Sequence, residues 1–226
     1  LIYATDSAER VVVSFKDDAT AFYNIKRAKI ENKGKMNCTI SSKILAFLNA
    51  NGVDTHFVEQ LDETSQICKV VEHMPFEVIV RNVIAGSMAK RLGIDEGVVP
   101  ENTIFDLCLK DEELGDPLIN DHHAVALGVA TYEELVKIYE ISARVNKLLT
   151  ELYASVGIRL VDFKIEFGRA ADGALVLADE LTPDTCRIWD AETGECMDKD
   201  RFRRDLGRVG ETYQEVAHRI CNALNK

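Results

Sequence analysis

The spacing of apolar residues divides the chain into a β-rich first third and a mixed remainder. Short runs rich in β-branched residues predict strands at residues 11–15, 56–61, 67–71, 77–84 and 105–109. Ile40, Ile44, Leu45 and Leu48 recur at helical spacing and are followed by Gly52, which predicts a helix that ends there.

The second half opens on a stronger helix signal. Thr131 and Glu134 have the spacing of a capping box, and apolar residues recur at helical spacing from residue 135 to residue 156, before Gly157. Two strands at residues 158–167 and 174–181 then flank the turn Asp172-Gly173, and helices follow at 199–206 and 211–223. This order predicts an α+β chain with two lobes and a cleft, which we divide into residues 1–73 and 74–226.

Charge and cysteine content restrict the class of protein. The 226 residues carry a formal net charge of −11, which argues against nucleic acid as the main partner. No apolar run is long enough for a transmembrane helix, and the first ten residues lack the pattern of a secretory signal. The six cysteines contain no CxxC pair, so we expect reduced thiols in a cytoplasmic protein.

The strand at residues 158–167 carries the most informative charges. Because side chains alternate along a strand, Asp162, Lys164 and Glu166 should share one face, and residues 161, 163, 165 and 167 should pack into the core on the other. One interpretation of the charged face is a solvated sheet surface, and the other is a cleft that holds an acid, a base and a metal ligand.

Asp179 extends this interpretation, because it directly follows the apolar run at residues 174–178. Glu166 and Asp179 could hold Mg²⁺, which prefers one or two carboxylates together with substrate phosphates. The alternative is a pair of solvated acids at strand ends, and their spacing does not decide between the two.

Several basic and histidine segments admit both a functional and an ordinary interpretation. Arg81, followed by residues 85–87 (Ala-Gly-Ser), could bind an anion, and Arg187 offers a similar guanidinium fork. The ordinary interpretations are a turn and, for the arginines at residues 201–208, a solvated helix face paired with neighbouring Asp. His122-His123 could suggest zinc, but no further ligand follows at a suitable spacing.

Longer motifs resemble one known family. Residues 74–87 (MPFEVIVRNVIAGS) and 160–168 (LVDFKIEFG) are similar to the two signature motifs of the phosphoribosylaminoimidazole-succinocarboxamide synthases, the SAICAR synthetases of purine biosynthesis. GDPLIN at 115–120, DELTPDTCRIWD at 179–190 and MDKDRFRRDLG at 197–207 resemble the family in the same order. The likeness covers essentially the whole chain and is greatest to the compact bacterial form.

The resemblance implies a fold and an activity. The fold would be a two-lobed α+β arrangement related to ATP-grasp enzymes and protein kinases, with ATP in the cleft. The enzyme would use ATP and Mg²⁺ to join L-aspartate to the carboxylate of carboxyaminoimidazole ribonucleotide (CAIR), through an acyl phosphate. Bacterial members of the family suggest a homodimer.

The resemblance also assigns roles to individual residues. Glu166 and Asp179 would hold Mg²⁺ with the ATP phosphates, and Asp162 and Lys164 would lie near the reacting carboxylate. Further implied contacts are Arg81, Ser87 and Arg187 with the ribonucleotide, Val70, Val71 and His73 with adenine, and Asp116, more weakly, with substrate.

Two departures from the family pattern keep other functions open. The family's Gly-Lys-Ala-Lys stretch would precede Ile2-Tyr3, and we expect that this loop exists but is not included here. Tyr23-Asn24 stands where many members have Asn-Gly, so we assign it no role. A kinase-like phosphotransferase without an amine site and an inactive nucleotide-binding module are the alternatives to the ligase.

Overall fold

A computed structural model describes residues 1–21 and 25–225, so Tyr23-Asn24 lies outside the described residues. Twelve strands are described: β1 (Ile2–Ala4), β2 (Arg10–Ser14), β3 (Asp18–Ala21), β4 (Lys26–Lys29), β5 (Phe57–Gln60), β6 (Ser65–Lys69), β7 (Glu72–Arg81), β8 (Ile104–Leu109), β9 (Leu118–Ile119), β10 (Ile158–Arg169), β11 (Leu175–Ala178) and β12 (Cys186–Asp190). The helices are α1 (Lys33–Ala50), α2 (Gly86–Leu92), α3 (Asp121–Ala126), α4 (Tyr132–Ala154), α5 (Asp200–Arg203) and α6 (Val209–Leu224).

Two antiparallel sheets and a hairpin organise these elements. The first sheet has the strand order β1-β2-β6-β5, and β3 pairs with β4 separately. The second has the order β11-β10-β7-β8-β9, and β12 also pairs with β10. The long strand β10 therefore contacts β12 along its first half, β11 along its second half, and β7 on its other edge.

The main core lies on one face of the second sheet. Val78 and Val80 of β7 and Phe163 and Ile165 of β10 are buried there together with residues of α1, α4 and α6. The intervening side chains of these two strands face the opposite side. One sheet face is thus committed to packing, and the other is available for a site.

The strongest sequence signals are confirmed. Thr131 and Glu134 form the predicted capping box at the start of α4, and β2, β5, β6, β8, β10 and β11 lie where strands are predicted. Strand β7 ends at Arg81 rather than at residue 84 because the chain then turns into α2. The short elements α2, α3, β1, β3, β4, β9 and β12 were not predicted, since each has too few residues to show a period.

The predicted alternation along β10 is wrong at its beginning. Ile158 and Leu160 belong to the main core with Phe163, whereas Val161 packs in a separate small cluster with Val83 and Ala85. The pairing with β12 shifts register between Leu160 and Asp162, as in a β-bulge. An extra residue at this point reverses which face each earlier side chain occupies, so the alternation holds only from Asp162 onward.

The first sheet ends at Lys69 and the second begins at Glu72, close to the predicted lobe boundary. The division into residues 1–73 and 74–226 stays a prediction, because α1 of the first segment packs against α6 of the second. None of the helices in residues 1–21 and 25–225 has the length and hydrophobicity of a membrane-spanning segment.

Candidate active site

Three neighbouring strands place an Arg-Asp-Arg row on the open face of the second sheet. Asp162 of β10 lies opposite Arg81 of β7 and opposite Arg187 of β12. Arg81 Nη1 is 3.3 Å from Asp162 Oδ2, and Arg187 Nη1 donates to the same oxygen. Burial raises the pKa of Asp162, although Arg187 and Arg81 act in the opposite direction. Asp162 thus holds two guanidinium groups side by side.

Each guanidinium group has a second carboxylate partner. Arg81 Nε donates to Asp106 Oδ2 at 2.8 Å, and Arg187 Nε donates to Asp200 Oδ2 at 2.9 Å. Arg81 is only 2% exposed. Each guanidinium group thus bridges two carboxylates, which fixes its direction. A planar fork held in this way suits recognition of phosphate or carboxylate.

Lys164 is surrounded by three carboxylates. Its Nζ lies 2.8 Å from Glu166 Oε1, 3.1 Å from Asp179 Oδ2 and 3.3 Å from Glu77 Oε2. Burial disfavours the ammonium, but these acids outweigh that effect and raise the pKa of Lys164. The cluster therefore carries more negative than positive charge, and it can accept a further cation.

Glu166 and Asp179 are the two acids that converge on Lys164 from adjacent strand positions. Glu166 is 3% exposed and its other oxygen, Oε2, lies 2.5 Å from Lys110 Nζ. Asp179 follows β11 with a φ of 68°. A non-glycine residue in this left-handed region is uncommon, and such conformations concentrate at functional sites.

Two adjoining cavities open onto this cluster. The first, of about 610 Å³, is bounded by the apolar strand β2 and by Val70, Val71 and His73. The second, of about 580 Å³, is lined by the charged residues Glu77, Arg81, Asp162, Lys164, Glu166, Arg187 and Arg203, and by Ser87. Four residues line both cavities: Asp179, Glu180, Asp184 and Lys199. A ligand group can therefore reach from one cavity into the other.

The first residues of α2, which carries Ser87, lie directly against Arg187. A Cβ atom on Gly86 would come within 2.4 Å of Arg187 Nη2, and Gly86 has a φ of +57°. The backbone N–H of Gly86 donates to Glu96 Oε1 at 2.8 Å, so this N–H already has a partner. Glycine suits this position because its φ is positive and because a side chain here would displace the Arg187 guanidinium.

Most predicted site residues meet at these cavities. Arg81, Ser87, Asp162, Lys164, Glu166, Asp179 and Arg187 line the second cavity, and Val70, Val71, His73 and Asp179 line the first. Asp116 lines neither cavity, and its carboxylate accepts the backbone N–H of Asp111 at 2.9 Å. This contact gives Asp116 a role within its loop, and its contact with substrate stays a prediction.

The two histidines considered for zinc have local partners. His122 Nδ1 lies 2.5 Å from the hydroxyl of Tyr132, and His123 Nδ1 accepts from Asn120 N at the start of α3. In the described part of the chain, no group of three His, Cys, Asp or Glu side chains is arranged to hold a metal ion by itself.

Sequence reasoning missed several charged residues of the site. Glu77 and Arg81 share one face of β7, so strand alternation could have identified Glu77. Lys33, Lys110, Glu180 and Lys199 carry no comparable local pattern. Burial, together with Asp184 and Asp179, raises the pKa of Glu180 to about 8.

Comparison with known proteins gives the same assignment by sequence and by structure. The family model described as SAICAR synthetase matches residues 1–220. The phosphoribosylaminoimidazole-succinocarboxamide synthase of Clostridium perfringens (strain SM101 / Type A) is 58% identical over 221 residues, covering 98% of this chain and 94% of that protein. The corresponding protein of Clostridium beijerinckii is 57% identical over 219 residues, covering 97% and 93%.

Two solved structures have nearly the same fold. The phosphoribosylaminoimidazole-succinocarboxamide synthase of Ehrlichia chaffeensis has a TM-score of 0.95 and 43% identity, and the match covers 98% of this chain and 94% of that one. A SAICAR synthetase in complex with ADP gives the same four values.

The fold and these relatives thus identify an α+β enzyme of the ATP-dependent ligase class. Within that class, the chain belongs to the SAICAR synthetase family of purine biosynthesis.

Proposed function

We propose that this ligase joins L-aspartate to the carboxylate of CAIR through an acyl phosphate, with ATP in the first cavity and CAIR in the second. The observation that carries the proposal is the contact between the two cavities at Asp179, Glu180, Asp184 and Lys199. The apolar wall of the first cavity suits adenine, and a cavity with fixed arginines suits an anionic ribonucleotide. Their junction is where a phosphoryl group could pass between the two ligands.

The chemistry divides into two balanced steps. A carboxylate oxygen of CAIR forms a bond to the γ-phosphorus while the bond to the bridging oxygen of ATP breaks, and ADP leaves with that electron pair. The amine of aspartate then attacks the acyl carbon, and phosphate leaves with the electron pair and the amine proton. Such transfer depends mainly on positioning and charge neutralisation.

Individual residues have distinct parts in this scheme. Arg81 and Arg187, oriented by Asp162, bind the phosphate or carboxylate of the ribonucleotide, and the Ser87 hydroxyl donates to the same ligand. Lys164 neutralises charge on the reacting carboxylate. Val70, Val71 and His73, which line the first cavity, offer backbone groups to adenine.

Mg²⁺ fits the donor set at the junction. Glu166 and Asp179 approach one ammonium group from two sides, which shows that both carboxylates point to the same small volume. Two carboxylates are a usual protein contribution for this ion, and phosphate oxygens and water complete its shell. When bound by Glu166 and Asp179, Mg²⁺ would neutralise phosphate charge.

The decisive experiment measures ADP release with each substrate omitted in turn. We expect ADP to form only when ATP, CAIR and aspartate are all present, or to be limited to roughly one turnover without aspartate. Continuous ADP formation without aspartate would favour the kinase-like alternative. ATP binding without turnover would favour the inactive nucleotide-binding module.

The contact between Gly86 and Arg187 provides a site-specific prediction. We expect Gly86→Ala to raise the KM for CAIR about tenfold, because the new methyl group displaces the Arg187 guanidinium from its ligand. Steady-state kinetics with CAIR as the varied substrate measures this effect.

Gly93 offers a matched control, since its φ is +64° and a Cβ atom there meets nothing within 4 Å. Gly93→Ala should have a similar backbone strain of about 1 kcal/mol and thus a similar fall in melting temperature, but an unchanged KM. Equal KM values for the two variants would contradict the role of Arg187.

We further place the reaction in the cytoplasm, because all six cysteines are free thiols. The homodimer that the family resemblance implies stays a prediction.

A further inference from the structure

Lys199 is the single cation among the four residues that line both cavities. It lies at the start of α5, where its backbone N–H donates to Pro183 O at 2.9 Å. This contact fixes the backbone from which the side chain extends. The half-buried ammonium is thus held where the two ligand sites meet.

The ammonium of Lys199 has no direct partner in the described part of the chain. No carboxylate oxygen lies within 4.0 Å of it, and its side chain makes no hydrogen bond. Lys33, Lys164 and Arg187, by contrast, each contact at least one carboxylate. Lys199 therefore differs from these three cations, because no carboxylate contacts its ammonium directly.

Asp184 acts on Lys199 through its charge, but its carboxylate already has other partners. Its Oδ2 accepts from Lys33 and from Asn37 Nδ2, and its Oδ1 accepts from the Tyr213 hydroxyl at 2.7 Å. Both carboxylate oxygens thus have other partners, and neither lies within 4.0 Å of the Lys199 ammonium. Burial lowers the pKa of Lys199, although the charge of Asp184 acts in the opposite direction. An anionic ligand in direct contact with this half-buried ammonium would favour its charged form.

The position of Lys199 distinguishes between the possible anions. Aspartate needs to reach only the second cavity, whereas the diphosphate of ADP stays with the nucleotide in the first. The γ-phosphoryl group is the one anion that must leave the first cavity and enter the second. A cation that lines both cavities is placed to contact this group before and after transfer.

We propose that Lys199 is a catalytic residue that binds the γ-phosphoryl oxygens while the phosphoryl group moves from ATP to the substrate carboxylate. The step itself is the one written above: the carboxylate oxygen-phosphorus bond forms, the bridging oxygen-phosphorus bond breaks, and ADP keeps the electron pair. Lys199 stays protonated and neutralises charge on the oxygens that do not react. The inference rests on the proposed function.

The test compares Lys199→Met with Lys199→Arg. We expect Lys199→Met to lower kcat about 100-fold, which is typical for the loss of one donor to transition-state charge. Lys199→Arg keeps the charge, and its kcat should be about tenfold higher than that of Lys199→Met. The KM for aspartate and the Kd for ADP should stay within about twofold of the wild-type values, because neither ligand presents a γ-phosphoryl group. Lys147→Met, at an exposed position of α4, controls for loss of a lysine charge.

Hydroxylamine separates phosphoryl transfer from the binding of aspartate. As a small amine it can intercept an acyl phosphate without the aspartate site, so ADP release with CAIR and hydroxylamine reports the first step alone. In Lys199→Met, ADP release should fall about 100-fold with either amine. A loss confined to the aspartate reaction, or a rise in the KM for aspartate with normal kcat, would overturn the inference and make Lys199 an aspartate ligand.

Two further outcomes are distinguishable. A normal kcat in a folded Lys199→Met protein overturns the role of Lys199 while leaving the proposed function intact. If the wild-type enzyme releases no ADP with CAIR and either amine, the proposed function itself fails. If Lys199→Met does not fold, Lys199→Arg and Lys199→Gln decide, since only the charge-conserving variant should retain measurable phosphoryl transfer.

Discussion

Asp179→Asn should lower kcat by roughly 1,000-fold, the upper range for removing one electrostatic contact to a transition state. The carboxylate meets Lys164 at the junction of the two cavities, where it would hold Mg²⁺ beside the phosphates. Asparagine keeps the size of the side chain but removes the charge that binds a cation. Coupled measurement of ADP release at saturating substrates gives kcat for the variant.

The same variant should remain folded. The Asp179 side chain is 31% exposed, so its ion pair with Lys164 adds little to stability, on the order of 1 kcal/mol or less. The melting temperature should fall by no more than about 4 °C. Asp6→Asn, at an exposed position near β1, should leave both quantities unchanged. Wild-type turnover in Asp179→Asn would refute the assignment of this acid to the metal.

Lys164→Met should also remove activity, by about 1,000-fold, and it should destabilise the protein in a pH-dependent way. Without the ammonium, Glu77, Glu166 and Asp179 face one another, with Lys110 and the imidazole of His73 beside Glu166. Removing one member of a largely buried group of charges leaves the opposite charges without a counter-ion. We expect a loss of about 2 kcal/mol near pH 8, or about 4–8 °C in melting temperature.

The sign of the pH dependence follows from the carboxyl groups. In the wild-type protein, burial acts to raise the pKa of Asp179, but Lys164 outweighs it and holds this pKa below its ordinary value. Removing Lys164 should therefore raise the pKa of Asp179 in the folded state above its unfolded value. It should raise further the pKa of Glu77, which burial already raises. A carboxyl group of that kind destabilises the fold above its unfolded pKa, so the deficit should be small near pH 4–5 and should grow toward pH 8.

A double variant tests this origin. Glu77→Gln in the Lys164→Met background removes one uncompensated charge, and it should restore part of the melting temperature at pH 8 without restoring turnover. Thermal unfolding from pH 5 to pH 8 measures both proteins. A deficit that is the same at every pH, or that Glu77→Gln does not reduce, would show that Lys164 stabilises the fold by packing rather than by charge.

Much of the site could be predicted because it lies on a strand with a regular period. From Asp162 onward, alternate residues of β10 face the cavity, and Lys164 and Glu166 follow at the expected spacing. The same rule failed before Asp162, because the register shift against β12 depends on a partner strand that the local sequence does not specify.

Asp116 shows what resemblance to a family leaves undecided. It lies in a stretch that resembles the family, but its carboxylate closes its own loop through the Asp111 N–H. Lys110, six residues earlier, contacts Glu166 instead. Which residue of a loop reaches a site depends on how the loop packs, and sequence resemblance alone does not report that.

The sequence by itself determined the family, the position of the long helices and the charged face of β10, because each depends on local periodicity or on extended motifs. Only the tertiary structure decided which distant residues share a site. The order β11-β10-β7, with β12 beside β10, brings Arg81, Asp162 and Arg187 into one row. It also brings Lys199 to the junction of two cavities. Strand order and loop packing arise from burial of the whole core, whereas the periodicity of a helix or strand is a local property of the sequence.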